Sequence, residues 1–373
     1  MTKAAPWTVF FCLALWAATE VRQRRVADAD AMYQAALLAH RRGELALADE
    51  AMGDALRLAP DNACYLAYRG LLRHRMAGAT DAAGMVGTGA GAATRGGASA
   101  DREKLRAAAD SYEAALRLSP EDGLFHHNLG WLYFLLGDRE RALAHLEGAA
   151  ASRLRDPVYH VSLGIVRERC GEPDAAARDY AEAVALSPGV LGSDFFHQLR
   201  GRDARMAEAA VAAAVAGLEA ELKATADPVA KARLGGICLD SDPGRAFTLL
   251  REAVEALPNL PRAWGNLGLL HGRKGDFAGM EACFRRAHFL DGDDPQTLLG
   301  MAEAYEAKGE GREAARCRLR AEAHGSRSHS AHAGRLTTLY RGVRRMEDDD
   351  MIPQGIWSYC APAKMKPKFE AGD

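Results

Sequence analysis

A period of 34 residues recurs along this chain and constrains its fold more tightly than any other feature. The strings HHNLGWLYFLLGDRERALAHLEGA at 126–149 and HVSLGIVRERCGEPDAAARDYAEA at 160–183 align without a gap, and His160 stands 34 residues beyond His126. A third copy, WGNLGLLHGRKGDFAGMEACFRRA, runs from Trp264 to Ala287. In each copy apolar residues return at helical spacing on both sides of a glycine, so each copy reads as two helices joined by a tight turn. One such hairpin leaves an apolar face bare, and only stacking on the next hairpin buries it.

The residue types in the repeat have a physical reading. Gly130 and Ala142 let the two helices of a hairpin approach closely, while Leu129, Tyr133 and Leu146 fill the space around the contact. Gly43, Gly137, Gly171, Gly275 and Gly309 stand where the first helix must stop, because glycine accepts the left-handed conformation of a helix C-terminus. Pro60, Pro120, Pro188 and Pro258 end the second helix. Hydrophobic content of 48% with only 7% aromatics makes a core of alanine and leucine, which suits close helix pairs rather than sheets. A formal net charge of -2 offers no global attraction for nucleic acid, and no nucleic-acid partner is expected.

On these residues the chain resembles the tetratricopeptide repeat family: a bulky residue, then Leu-Gly, a large residue three further on, a glycine at the turn, and alanine, aromatic, alanine in the second helix. The resemblance implies an all-α fold, a right-handed α-solenoid of about seven helix-turn-helix repeats plus one degenerate hairpin. Repeat one covers 29–62; repeat two begins at 63, is interrupted after Ala77 and resumes near Lys104. Repeats three and four cover 123–156 and 157–190, a shortened fifth 228–260, the sixth 261–294 and the seventh 295–324. The chain departs from the pattern at Leu154 and Gly292 (closing proline), Met280 (alanine) and Arg318 (aromatic). The degenerate hairpin falls at 191–227, with Ser193 capping a short helix and Asp203 a longer one. The Gly/Ala/Thr-rich insertion 78–103 is expected to be disordered. Residues 325–373 read as a capping helix, marked by Leu336, Leu339, Tyr340 and Val343, followed by a flexible tail.

The N-terminus has a different character. Residues 4–18 are apolar apart from Thr8, follow Lys3 and precede Arg22, Arg24 and Arg25. Residues 1–25 therefore read as a membrane-targeting segment, either signal anchor or signal peptide, with membrane association through residues 4–19. An apolar helix, then arginines, then tandem repeats is similar in layout to the C-terminal part of bacterial membrane proteins of the O-antigen ligase/polymerase type. That likeness implies an alternative function, a repeat appendage or fragment of a cell-envelope glycan enzyme.

No set of residues suited to catalysis or cofactor binding emerges. The seven cysteines include no C-x-x-C pair and read as buried or free thiols. Gly87, Gly89 and Gly91 lack a following Lys-Ser/Thr, and there is no H-E-x-x-H. His126 and His127 diverge by ~100° on one helix and cannot share a metal. The expectation is a non-enzyme without cofactor, metal or small-molecule substrate.

Surface shape is what remains for function. The resemblance implies that the second, fifth, ninth and twelfth residues of each repeat line a concave groove: Leu124, His127, Trp131 and Phe134 in repeat three, then Val158, Val161, Ile165 and Glu168 in repeat four. That stripe is apolar and suits a partner's peptide or helix. The lysine and asparagine clamp that some family members use for a terminal carboxylate is missing, its places holding Tyr33, Leu37, Ala67 and Leu71. The expected function is a membrane-associated protein-interaction scaffold that docks a protein partner in the groove.

Overall fold

The computed structural model describes residues 6–77, 97–153, 155–292 and 294–325, and among them the secondary structure is helical, with sixteen α-helices and no strand. The chain divides into two compact units after Arg153. The first holds three hairpins: α1 (Pro6–Arg41) with α2 (Leu45–Leu58), α3 (Ala63–Met76) with α4 (Gly97–Leu118), and α5 (Gly123–Leu136) with α6 (Arg139–Ala150). In the second, α7 (Pro157–Arg169) pairs with α8 (Pro173–Leu186), α11 (Pro228–Ile237) with α12 (Pro243–Ala256), α13 (Pro261–Arg273) with α14 (Phe277–Asp291), and α15 (Pro295–Ala307) with α16 (Gly311–Gly325). Within each unit the second helix of one hairpin packs on the first helix of the next, as α2 does on α3 and α12 on α13, so each unit is a run of stacked hairpins.

The boundaries follow from the local chemistry. Asp122, Asp156, Asp227 and Asp294 accept hydrogen bonds from the first free N–H groups of α5, α7, α11 and α15, while Asp138, Asp242 and Asp276 do the same for α6, α12 and α14. All five turn glycines named above adopt positive φ, between 75° and 88°. Pro60, Pro120, Pro188 and Pro258 each stand two residues beyond the end of α2, α4, α8 and α12.

The core of five hairpins is one recurring contact. A small residue on the first helix faces a large one on the second, sixteen positions on: Gly130 against Leu146, Gly164 against Tyr180, Gly268 against Phe284. An added Cβ would stand 2.7 Å from Leu146 Cγ at Gly130 and 2.9 Å from Phe284 Cε2 at Gly268, which is closer than non-bonded carbons approach. Gly70 and Gly235 meet Tyr112 and Leu250 in the same way. Tyr112, Tyr180, Phe284, Leu146 and Leu250 are all buried, each removing about 2 kcal/mol or more of apolar surface from water. In the seventh repeat Arg318 takes the place of the aromatic and pairs at the surface with Glu306.

Two helices run past the boundaries read from the sequence. The insertion ends sooner than expected, since α4 is already helical at Gly97; Arg102 donates to the Leu136 carbonyl at the end of α5 (3.0 Å) and Lys104 to the Met76 carbonyl at the end of α3 (2.9 Å). Cations at helix C-termini are favourable partners for free carbonyls, and they carry the helix back past the point where the repeat pattern resumes. Residues 78–96 lie outside the described residues. The division at 25/26 coincides with no break, because the apolar N-terminal run continues as helix into repeat one within α1. Among the described residues no helix is long and apolar enough to cross a membrane.

Between α8 and α11 the chain forms a 3-10 turn at Pro188–Gly192, then α9 (Asp194–Arg202) and α10 (Ala204–Thr225). Ser193 Oγ accepts from the Phe196 N–H (3.2 Å) and Asp203 from the Met206 N–H (3.0 Å), as expected of these caps. Phe195, Phe196 and Leu199 are buried, as are Ala207, Ala210 and Ala214 of α10, which packs against α8. The 326–373 segment, with its expected capping helix, lies outside the described residues.

Candidate functional site

The stripe of repeat three lies on α5, which is held between α4 and α6. Its four residues are brought together in sequence order along the helix, but they are less open than the groove expectation implied. Leu124, His127 and Trp131 are buried, with Trp131 5% exposed, and only Phe134 is partly accessible. The indole Nε1 of Trp131 donates to His127 Nε2 (3.2 Å), one helical turn back, and the Trp131 ring meets Phe134 edge-on with centroids 5.8 Å apart. Residues four and three apart on a helix are neighbours, so the aromatics satisfy one another before any partner arrives. Burial pushes His127 down to about 4, so the ring is neutral and Nε2 is free to accept from the indole.

The stripe of repeat four lies on α7. Val161 and Ile165 are buried, while Val158 and Glu168 are partly accessible. Glu168 is committed within its own unit: it accepts the Tyr180 hydroxyl (2.8 Å) and pairs with Arg202 of α9 (2.7 Å). Beside it, Arg167 grips Asp179 of α8 at 2.8 and 3.0 Å. The carboxylate was legible as a stripe residue, but its partner in the degenerate hairpin was not.

A second cluster escaped the sequence reading. On the outer side of repeat three, His126 of α5 and His145 of α6 face each other with Nδ1 to Nδ1 at 3.0 Å. His145 lies flat on Tyr133, with ring planes 12° apart, and Tyr133 is held by Glu113 of α4 and by Arg141, whose Nη1 donates to the phenol at 3.1 Å. Burial and the neighbouring His126 lower the His145 pKa, and Tyr133 is pushed up to about 12 by burial and the Glu113 hydrogen bond. The signal available in the sequence was position: His126 fills the bulky place of the first helix, and His145 lies one residue before Leu146, the large residue of the second. Among the described residues no group of three or more His, Cys, Asp or Glu side chains is arranged to hold a metal. Among the described residues Cys64, Cys170, Cys238, Cys283 and Cys317 form no disulfide, and burial raises Cys283 to about 11, which favours the protonated thiol.

The tetratricopeptide repeat family model matches residues 125–153 and 261–288, which are most of repeats three and six. No curated protein matches the chain significantly. Among solved structures, a tetratricopeptide repeat protein from Parabacteroides merdae is 15% identical, covering 85% of this chain and 100% of its own, with a TM-score of 0.34. The pilF protein of Pseudomonas aeruginosa is 13% identical over 84% of this chain and 96% of its own, with a TM-score of 0.31. YrrB, a TPR protein described as having an unusual peptide-binding site, is 17% identical over 58% of this chain and 92% of its own, with a TM-score of 0.25. The two matched segments carry the same 34-residue pattern and the same small-against-large contact, Gly130 on Leu146 and Gly268 on Phe284, so repeats three and six are tetratricopeptide repeats.

Proposed function

We propose that the chain is a protein-interaction scaffold whose repeats dock a peptide or helix of another protein. The observation that carries this reading is the architecture: runs of stacked hairpins, with apolar residues such as Phe134 partly accessible on the first helix of a repeat. In the first unit the partner's contact centres on Phe134, with Trp131 seated behind it as a rigid support. Aromatic anchors backed by packed neighbours are where binding energy concentrates, with truncation costing on the order of 2 kcal/mol or more. Residues 4–19 add association with a membrane, as a signal anchor or signal peptide, supported by the apolar run and the arginines after it.

The test compares crosslinked partner recovery by the wild type, Phe134→Ala and Trp131→Ala in the full chain. Lost recovery with unchanged helicity supports the docking surface; unchanged recovery with Phe134→Ala overturns it. Full solubility of the intact chain without detergent or lipid, and no flotation with anionic vesicles, would remove the membrane element.

A further inference from the structure

We propose that His126 and His145 form a two-nitrogen binding site for a divalent transition-metal ion of the nickel, copper or zinc type. Imidazole nitrogens bind such ions at about 2.0–2.1 Å, which places two nitrogens sharing one ion about 3.0–3.4 Å apart. The Nδ1 atoms of His126 and His145 stand 3.0 Å apart, within that range, and with the ring centroids 5.2 Å apart the two nitrogens face each other, so each ring turns about its side-chain bonds to aim its lone pair at a shared ion. The tautomer is set as well. Nε2 of His126 lies 3.0 Å from the Pro120 carbonyl, which only accepts, so Nε2 carries the proton and Nδ1 presents its lone pair toward His145. A ligating histidine whose other nitrogen donates to a backbone carbonyl is the usual outer support of a metal site.

The surroundings keep the pair rigid and accessible. His145 is stacked on Tyr133, itself fixed by Glu113 and Arg141, and both imidazoles are partly exposed. Gly148 leaves the His126 ring uncovered: an added Cβ would stand 3.0 Å from Nδ1. Among the described residues no carboxylate, thiol or third imidazole completes a larger site, so water fills the remaining positions of the ion and binding is reversible. Without metal, His145 donates its Nδ1 proton to His126; on binding, that proton moves to the outer nitrogen of His145, and the ion takes its place between the rings. Because one ligand comes from α5 and the other from α6, the ion ties the hairpin of repeat three together.

The experiment uses the full chain without an affinity tag. Equilibrium dialysis against nickel(II) should leave the wild type with one equivalent more than His126→Gln, His145→Gln or Gly148→Ala, and the metal should raise the melting temperature of the wild type alone. Equal stoichiometry and equal thermal response in all four proteins would show a hydrogen bond and no site, overturning the proposal. Should a variant lose helicity, electron paramagnetic resonance of the wild type with one equivalent of copper(II) decides independently. Coupling to two imidazole nitrogens supports the site, and its absence overturns it.

Discussion

Replacing Gly164 by alanine adds a single methyl group at the tightest point of repeat four. The new Cβ would stand 2.7 Å from Tyr180 Cδ1 and closer still to Cε1. The ring has no room to retreat. It is fully buried, its hydroxyl donates to Glu168, Glu168 is paired with Arg202, and Phe195 lies against its face with centroids 5.1 Å apart. Overpacking of this kind costs about 1–3 kcal/mol. Against it stands the helix preference of alanine over glycine, about 0.5–1 kcal/mol. Gly217, exposed within α10 with nothing within 4 Å of an added Cβ, isolates that second effect. Gly217→Ala should therefore stabilise by about 0.5–1 kcal/mol, while Gly164→Ala destabilises by about 1–2 kcal/mol. For a unit of roughly this size the difference corresponds to a gap on the order of 5–10 °C between the two melting temperatures. Thermal unfolding followed by circular dichroism measures both variants against the wild type. If Gly164→Ala melts at or above Gly217→Ala, the small-against-large contact is not what holds the hairpin.

Ala226 ends α10 in the left-handed region at φ 50°, where a side chain is strained, so Ala226→Gly should raise stability by about 0.5–1 kcal/mol; an unchanged or lower melting temperature counts against that strain. Burial depresses His74 and His127 to about 4, so the unfolded chain binds protons that the folded one refuses, and stability falls as pH drops from about 6.5 toward 4. Melts at pH 7 and 5 test this, and His127→Gln should reduce the slope. Glu303 runs the other way, since burial and then Glu306 raise it to about 7 despite Arg318, which destabilises the folded state as pH rises from 4.5 through 7. Glu303→Gln should therefore melt higher than the wild type at pH 7.5 and match it near pH 4, and equal melting at both values would show that the carboxyl is not strained.

The parts of this fold that were legible in the sequence are those in which one residue type answers one backbone demand. A positive φ at the end of a first helix needs glycine, and Gly43, Gly137, Gly171, Gly275 and Gly309 were readable for that reason. Close helix approach needs a small residue at a fixed distance from a large one, and the period supplied the register. Ser193 and Asp203 were readable as caps because their oxygens act within three residues. What stayed hidden depends on side chains meeting across helices that the period does not align. The stripe residues lie on α5 and α7, yet their burial was not foreseen, because repeat position does not say whether His127 and Phe134 already meet Trp131. The link from Glu168 to Arg202 crosses into a segment without the signature. The pairing of His126 with His145 joins two helices through residues that the repeat pattern treats as interchangeable bulk.

The fastening of α4 has a consequence for engineering. Arg102 and Lys104 secure the helix to the ends of α5 and α3, so the two sides of the insertion are held by the hairpin whatever chain joins them. Closing a loop costs only about 0.6 kcal/mol more for each doubling of its length. A chain spliced in between Ala77 and Gly97, whether an epitope, a fluorescent reporter or a whole second domain, is therefore expected to leave the pairing of α3 with α4 in register.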